Sequence, residues 1–308
     1  TYAGRIPIRA QGEGRTPAPG WSGEWEWTGF IPFEGLPHQS NPERGYIVTA
    51  NNRVVDGSYP RYISREFSMG DRAERIGELI ERQAEVNAPA IRQMHLDQRS
   101  PSMARLADLL AALEADDAEL EGLVALVRQW DRRLAADSPA AAVCEIFGRL
   151  MQRVILEGKL GGEEDGPSLL DRAMGRGPTP GIQESSFFYH RLWEWLYMIL
   201  EQPDSHWFDL GEGETREDVM RIALARTRNY LAERLGPPQP PDYRNWAWGR
   251  LHRVTFAHIA GRAPALSGHF DRGPYPLGGD GNTVFATGGG LTREASRAVV
   301  GPPFRFIA

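Results

Sequence analysis

The first 67 residues alternate short apolar runs with glycine, proline and aromatic residues, a pattern that favours strands and ordered loops over helices. Two runs fit short strands best, Gly4–Ala10 ("GRIPIRA") and Arg44–Ala50 ("RGYIVTA"). The second run ends on two consecutive asparagines, Asn51 and Asn52, where a turn glycine is the commoner choice. We therefore predict strands and loops over residues 1–67.

From Ser68 the spacing of apolar residues changes to the three-and-four rhythm of amphipathic helices. Ser100 and Ser138 each stand before a proline and predict helix starts. Thr215 and Asp218 form a capping-box pair, and Gly236 followed by proline predicts the stop of that helix. Leu123, Val127, Trp130 and Leu134 form a further apolar stripe. The pattern predicts a mainly helical section over residues 68–236, interrupted by a glycine-rich, charged surface excursion at 157–181.

Strand-like runs return after residue 237, in "GRLHRVTFAHIA", "GNTVFATGG" and "AVVGPPFRFIA". Strands at both ends of the chain and helices between them predict an α+β fold in three parts, 1–67, 68–236 and 237–308. "GGDGNT", residues 278–283, lacks the lysine and the following helix of a phosphate loop, so a tight Asp-Gly turn is expected.

Composition narrows the classes of function. The chain has 308 residues, 41% of them hydrophobic, and a formal net charge of −6. No basic surface is expected for nucleic acid or an anionic membrane, and no run is apolar enough for a bilayer span. A small molecule is the expected partner. Cys144 is the only cysteine, lies in an apolar helical pattern and is expected to pack in the core.

A long ordered series of segments resembles the penicillin acylase (penicillin amidase) family. It begins with "PGWSGEWEWTGFIPFEGLPHQSNPERGYIVTANNRVV" and continues through "YPRYISREFSMGDRAERIGELI", "MHLDQRS", "WDRRLAADSPAAA", "WGRLHRVTF" and "RGPYPLGGDGNTV". The resemblance covers most of the chain in the family's order. It implies an N-terminal nucleophile hydrolase, in which strands and helices form part of a four-layer αββα sandwich with a large inserted helical section.

The resemblance also implies an activity, hydrolysis of the amide bond of an N-acylated small molecule such as a penicillin, a cephalosporin or an acyl-homoserine lactone. An N-terminal serine attacks the carbonyl and its own α-amine accepts the proton. Such an amine has an ordinary pKa of roughly 7.7 to 8, so it serves as general base without a histidine. Asn51 falls on the family's oxyanion-hole asparagine, and Arg72 on an arginine that orients the catalytic centre. Asn52 is expected to fix the local backbone.

No segment of the family's Ser-Asn-Asn/Ala-Trp type precedes "TYAGRIPIRA". The resemblance therefore predicts a fragment of the large (β) subunit, inactive alone, which needs the rest of that subunit and a small α subunit. It predicts autoproteolytic processing of a zymogen and a periplasmic or secreted location. No cofactor is expected for the chemistry. A structural calcium is possible in the intact protein, with Glu66 only the nearest candidate ligand, so the metal site stays open.

Several alternatives accompany these predictions. Asn51 also fits an ordinary turn at the end of a strand. Arg72 also fits a solvated residue in the first turn of a helix. Thr1 also fits an N-terminal nucleophile that replaces the serine. The three tryptophans at positions 21, 25 and 27 fit an acyl pocket, although core packing is the commoner role. Structural roles are expected for His252, His258 and His269, since their spacing matches no familiar zinc site. A non-catalytic protein that binds acylated ligands or a protein partner is the alternative function.

Overall fold

The computed structural model of the protein describes residues 4–14, 16–65, 67–115, 117–160, 186–292, 295–298, 301 and 306–307. The chain divides into two compact units, Thr1–Gly77 and Glu78–Ala308. Thr1, Glu66 and most of the glycine-rich excursion lie outside the described residues, so the structure does not bear on the expectations for them.

The first unit is built on a two-stranded antiparallel sheet. Strand β1, Pro7–Arg9, pairs with β2, Trp27–Phe30, and the register shifts between Ile8 and Arg9. The prediction of a strand in "GRIPIRA" is thus confirmed. The prediction for "RGYIVTA" is wrong, because that segment begins in a turn at Arg44 and Gly45 and forms no strand ladder with another described segment. An extended run becomes a strand only when a neighbour supplies donors and acceptors at matching register.

Few apolar side chains are buried within this first unit. Among its described residues, Ile31 and Ala50 are the buried apolar ones, at 6% and 7% exposure. Trp21 and Trp27 are 91% and 61% exposed, and Trp25 is 36% exposed, so core packing of the three tryptophans within this unit is wrong. A ribbon of two short strands has too little surface to cover three indole rings.

The long helices begin at the residues that the sequence indicated. The helix that follows Ser100 is capped by Ser100 Oγ, which accepts from Met103 N at 3.2 Å, and the helix that follows Ser138 is capped by Ser138 Oγ, which accepts from Ala141 N at 3.2 Å. Thr215 and Asp218 form the reciprocal capping box of a third helix, whose C-cap is Gly236. The helices run over Asp71–Glu81 (α1), Ala88–His95 (α2), Pro101–Ala111 (α3), Ala118–Arg128 (α4), Pro139–Leu160 (α5), Ser186–Leu200 (α6) and Arg216–Leu235 (α7).

Helix α5 is the central element of the second unit and packs against α3, α4, α6 and α7. Residues 140–149 of this helix are buried without a break, so it has no solvent-facing stripe over that stretch. Cys144 is fully buried there, and burial raises the pKa of its thiol, which confirms a packing role. The predicted apolar stripe from Leu123 to Leu134 is only partly helical, since α4 ends at Arg128, before Trp130.

Strands return after α7 with two short helices, α8 (Trp248–Leu251) and α9 (Pro264–Phe270). A four-stranded sheet has the order β4-β3-β6-β5, in which β3 and β6 run parallel and the other pairs are antiparallel. The strands are Arg253–Phe256 (β3), Arg272–Pro276 (β4), Gly289–Thr292 (β5) and Ala295–Ala298 (β6). The element order is therefore strands, helices and strands again, which confirms a mixed fold of helix and sheet.

Residues 278–287 form a buried turn instead of the strand predicted from "GNTVFATGG". Asp280 Oδ1 accepts from Asn282 N at 2.8 Å and Thr283 N at 2.7 Å, which confirms the Asp-Gly turn. Thr287 Oγ1 donates to Gly278 O at 2.7 Å and closes the loop. The β-branched residues Thr283 and Thr287, which are typical of strands, thus form hydrogen bonds with backbone carbonyls of the turn. None of the described helices has the length and hydrophobicity that a membrane crossing requires.

Candidate active site

Asn51 lies in the first unit, at a bend over residues 50–52 that follows the "RGYIVTA" run. Its backbone is left-handed, with φ of 62°, a conformation that asparagine tolerates better than most residues. Its carbonyl oxygen accepts a hydrogen bond from Ser68 N at 2.8 Å. The side chain is exposed. The side-chain amide of Asn51 therefore faces solvent, while the backbone carbonyl of the same residue is fixed by the hydrogen bond from Ser68 N.

Arg72, the second residue of α1, lies against this amide. Its Nη2 donates to Asn51 Oδ1 at 2.8 Å. Because a guanidinium only donates hydrogen bonds, the contact fixes which end of the amide is oxygen. The Nδ2 group of Asn51 must then point away from Arg72. Among the described residues none accepts a hydrogen bond from it, so two N–H donors remain available.

Asn52 uses its side chain in a different way. Its Oδ1 accepts from Ala50 N at 3.0 Å, and its Nδ2 donates to Arg53 O at 3.0 Å. These partners assign the amide without ambiguity, since a backbone N–H only donates and a carbonyl only accepts. The Asn52 side chain bonds to the backbone, as expected, whereas the Asn51 side chain bonds to Arg72. The two neighbouring side chains therefore have different kinds of hydrogen-bond partner.

The electrostatic surroundings of the Asn51 amide favour negative charge. Arg72 is permanently protonated, and the N-terminus of α1, where it stands, carries the positive end of the helix dipole. Asp71 and Glu74 in the same turn compensate part of that positive charge. A neutral donor beside a fixed cation is an arrangement that stabilises an oxyanion without changing its own protonation state.

A small cavity of about 210 Å³ opens elsewhere in the first unit, and Arg9, Glu13 and Trp25 are among the residues that line it. Neither Asn51 nor Arg72 lines this cavity. Arg65 pairs with Glu13 at 2.9 Å. Trp25 thus lines a cavity, as the acyl-pocket interpretation of the tryptophans requires. The candidate donor Asn51 does not line the same cavity.

Two of the three histidines have identifiable structural contacts. His252 is 2% exposed, stacks on Trp248 at 4.7 Å between ring centroids and lies 3.3 Å from Thr287 Oγ1. His258 accepts from Ala260 N through Nδ1 at 3.1 Å and stacks on Phe270. Within the described part of the chain, no group of three or more His, Cys, Asp or Glu side chains is placed to hold a metal ion.

Sequence reasoning did not find the buried carboxyl pair of Glu145 and Asp280 in the second unit. Both are nearly inaccessible, at 1% and 7% exposure, and they hydrogen-bond to each other. Burial, and then the charge of Glu145, raise the pKa of Asp280 well above its ordinary value. Arg149 Nε lies 3.2 Å from Glu145 Oε2. No local sequence pattern predicts this pair, because Glu145 and Asp280 are 135 positions apart in the sequence.

Comparison with known proteins relates this architecture to acylases. The sequence model of the penicillin amidase family matches residues 1–308. Penicillin acylase 2 proenzyme of Pseudomonas sp. (strain SE83) is 30% identical over 289 residues, or 92% of this chain and 34% of that protein. Acyl-homoserine lactone acylase QuiP of Pseudomonas aeruginosa is 28% identical over 333 residues, or 99% of this chain and 37% of that protein.

A solved structure agrees with these sequence matches. The thermostable penicillin G acylase from Alcaligenes faecalis superposes with a TM-score of 0.50 at 20% identity, covering 79% of this chain and 45% of that one. At this identity the likeness concerns the fold. The chain spans 34% and 37% of the length of the two curated relatives, about a third in each case. With a family match over its whole length, this chain belongs to the penicillin amidase family.

Proposed function

We propose that this chain supplies the oxyanion-binding part of an amidohydrolase that cleaves the amide bond of an N-acylated small molecule. The observation that carries the proposal is the Asn51 amide, whose oxygen is held by Arg72 and whose N–H donors have no described partner. A donor that is oriented before the reaction stabilises a developing charge with little reorganisation. The acylase relatives support the amide class of substrate.

In the proposed reaction, an N-terminal serine from polypeptide outside this chain attacks the carbonyl carbon of the substrate. The serine's own α-amine takes the hydroxyl proton, because its ordinary pKa of roughly 7.7 to 8 is close to working pH. The carbonyl oxygen becomes an oxyanion, and Asn51 Nδ2 donates to it. When the C–N bond breaks, the ammonium returns the proton to the leaving amine and an acyl-enzyme ester remains.

Water completes the cycle by the same route. The α-amine removes a proton from the attacking water, a second oxyanion forms at the same oxygen, and the ester C–O bond breaks. The serine regains its proton and the carboxylic acid leaves. Asn51 acts in both halves of the reaction without losing or gaining a proton.

Arg72 is proposed as an orienting residue and not as a base, since its guanidinium stays protonated. It holds Asn51 Oδ1, so the amide cannot turn its oxygen toward the oxyanion without losing a charge-assisted hydrogen bond. Its positive charge adds to the stabilisation of the oxyanion through space. This role requires both the charge and the planar geometry of the donor.

The remaining features of the active protein are part of the proposal. The strands described here would contribute to the four-layer αββα sandwich of N-terminal nucleophile hydrolases, completed by the rest of a large subunit and by a small subunit. The relative from Pseudomonas sp. is named a proenzyme, which supports maturation by cleavage. A periplasmic or secreted location and a structural calcium are carried over from the family resemblance alone.

The two curated relatives are named for different compounds, a penicillin and an acyl-homoserine lactone. Both compounds carry a secondary amide with an acyl group on one side and a ring on the other. We therefore propose that class of N-acyl amide as the substrate of the complete enzyme. A panel with different acyl groups on one chromogenic amine would show which acyl group is preferred.

The decisive variant is Asn51→Gly in the complete, mature enzyme. Glycine accepts the left-handed backbone, so the change removes the amide and leaves the turn. The expected result is a fall in kcat of about 100- to 1000-fold, with KM nearly unchanged, because the donor acts mainly in the transition state. Steady-state hydrolysis of the N-acyl amide panel measures both constants.

Asn41→Gly is the matched control. Asn41 belongs to the same unit and is also left-handed, with φ of 45°, so the variant makes the same chemical change at a residue outside the Asn51–Arg72 hydrogen bond. Its kcat is expected to equal that of the wild type. Near-normal turnover by Asn51→Gly would remove the basis of the proposed function.

A further inference from the structure

The Asn52 side chain forms a bridge over Asn51. Its Oδ1 holds the N–H of Ala50, the residue before Asn51, and its Nδ2 holds the carbonyl of Arg53, two residues after it. Asn52 itself is half-buried, and Ala50 is 7% exposed. One carboxamide therefore connects the two sides of the turn that carries the candidate oxyanion donor.

The turn needs such support because of its backbone. Asn51 has φ of 62°, a conformation that is less favourable for an L-residue than the right-handed one, although asparagine tolerates it better than most residues. Ser68 N fixes the carbonyl of Asn51 at 2.8 Å, but that bond does not control the peptide on the other side. Ala50 N has its hydrogen-bond partner in Asn52 Oδ1, so Asn52 restrains the peptide between Thr49 and Ala50 and thereby the approach of the chain to Asn51.

The direction of the Asn51 amide depends on this restraint. The Cα–Cβ bond of Asn51 turns with its backbone, and Nδ2 lies at the end of a side chain with two rotatable bonds. A shift of one peptide plane moves the donor relative to an oxyanion fixed by other parts of the enzyme. Misplacement of a catalytic group by about 1 Å is enough to lower a rate by on the order of 100-fold.

We infer that Asn52 is a positioning residue for the oxyanion donor: its carboxamide holds Ala50 and Arg53 so that Asn51 keeps its left-handed backbone and aims Nδ2. This inference rests on the proposed function, since it assumes that Asn51 donates to the oxyanion. It assigns the two asparagines complementary tasks. Asn51 contacts the reacting oxygen, and Asn52 acts only through Asn51.

The test is a double-mutant cycle in the complete enzyme. Asn52→Ala removes both bridging hydrogen bonds and is expected to lower kcat by on the order of 100-fold, with KM nearly unchanged. In the Asn51→Gly background the same Asn52→Ala change is expected to have no further effect on kcat, because no donor is left to misalign. Asn52→Asp keeps an acceptor for Ala50 N–H but places a carboxylate against Arg53 O in place of the donor, so kcat is expected to fall by on the order of 10-fold.

Two measurements separate positioning from simple stabilisation. Hydrogen exchange of the Ala50 amide should accelerate in Asn52→Ala and stay closer to wild type in Asn52→Asp, since only the first loses the acceptor. Ser58→Ala is the control, because it removes a side-chain hydrogen bond to Asp56 in the same unit without contact to Asn51. Its kcat is expected to be unchanged. If Asn52→Ala does not fold, the aspartate variant carries the same test.

The outcomes distinguish the two proposals. An inactive Asn51→Gly with a normal Asn52→Ala, or with a normal Asn52→Asp where only that variant folds, overturns the positioning role and leaves the proposed function intact. Equal losses from the Asn52 change with and without Asn51 show that it acts elsewhere, and they also overturn the positioning role. Normal turnover by Asn51→Gly overturns the proposed function, and the role of Asn52 falls with it.

Discussion

At the scale of single residues, the candidate site depends on which atom of each amide faces which partner. The sequence placed an Asn-Asn pair after an apolar run, and the family resemblance distinguished the two asparagines. Without the family resemblance, two consecutive asparagines also indicate an ordinary turn, and the structure has a bend at these residues. Local sequence alone could not predict the contact of Asn51 with Arg72, because a separation of 21 positions gives no information about side-chain direction.

Arg72→Lys tests the orienting role of the guanidinium. Lysine keeps the positive charge but loses the planar set of donors, so the amide of Asn51 is expected to be less well aligned. We expect kcat to fall by on the order of 10- to 100-fold, while KM stays close to the wild-type value. The measurement is steady-state hydrolysis of an N-acyl amide by the mature enzyme.

Arg82→Lys provides the comparison on the same helical segment. Arg82 follows α1 and forms a surface ion pair with Glu78 at 3.6 Å, with its side chain 62% exposed. Exposed pairs of this kind contribute little to stability, so neither turnover nor folding should change. Equal kinetics for the Arg72 and Arg82 variants would contradict an orienting role.

At the scale of elements, helix starts were predictable and strand partners were not. The caps at Ser100, Ser138 and Thr215 depend on a few adjacent residues, and all three are present as predicted. "RGYIVTA" and "GNTVFATGG" have the composition of strands, but strand formation depends on a neighbour that local sequence does not specify. The first segment forms no ladder with another described segment, and most of the second folds into the turn at 278–287.

The close packing of α5 leads to a prediction at Gly148. A Cβ at this position would lie 2.5 Å from the ring of Trp193 and 2.9 Å from Leu106 Cδ2. Gly148→Ala is expected to lower the free energy of unfolding by about 1–3 kcal/mol, because overpacking outweighs the better helix propensity of alanine. Urea denaturation followed by circular dichroism measures the change.

Gly77→Ala is the matched change in α1. Its Cβ would lie 3.4 Å from the Tyr46 hydroxyl, an ordinary contact distance. Removing a helical glycine without a clash is expected to stabilise by about 0.5–1 kcal/mol. A Gly148→Ala variant as stable as Gly77→Ala would show that α5 has more room than the structure indicates.

The buried pair of Glu145 and Asp280 predicts a dependence of stability on pH. Burial, followed by the charge of Glu145, raises the pKa of Asp280 in the folded protein well above the roughly 3.9 of an unfolded chain. Its contribution to stability is fully present below the unfolded pKa and is lost as pH rises toward and through the folded pKa. Asp280→Asn keeps the acceptor for Asn282 N and Thr283 N and offers Glu145 a permanent donor.

We therefore expect the melting temperature of Asp280→Asn to exceed that of the wild type at pH 8, and the difference to shrink as pH falls to 4. Thermal unfolding at several pH values measures it. Asp242→Asn is the control, since Asp242 is an exposed partner of Arg244 and should change the pH profile little. A difference that does not vary with pH would argue against a protonated Asp280 in the folded state.

At the scale of the whole molecule, the sequence predicted the mixed class of fold and, through an ordered series of segments, the family. Those predictions held because they rest on many positions at once. The division into three parts, 1–67, 68–236 and 237–308, stays a prediction. The exposure of the tryptophans was not predictable, because the apolar character of a side chain does not say how much surface a unit has available to cover it.

Mass spectrometry and activity assays test the proposal at this scale. If the chain acts as part of an acylase, the native protein is expected to contain a polypeptide cut to begin with serine, and the isolated 308-residue chain is expected not to hydrolyse N-acyl amides. An uncleaved native protein without turnover would favour the alternative, a protein that binds acylated ligands. Hydrolysis by the isolated chain would place the nucleophile within these 308 residues, with Thr1 the first residue to replace.

The left-handed backbone at position 51 restricts which amino acids evolution can place there. Glycine fits the conformation but brings no donor, and aspartate fits it but brings a negative charge beside a developing anion. Glutamine carries the same amide on a longer stem that is less suited to this conformation. With Asn51 as the proposed oxyanion donor, a library of all substitutions at position 51 is therefore expected to return asparagine alone when selected for turnover.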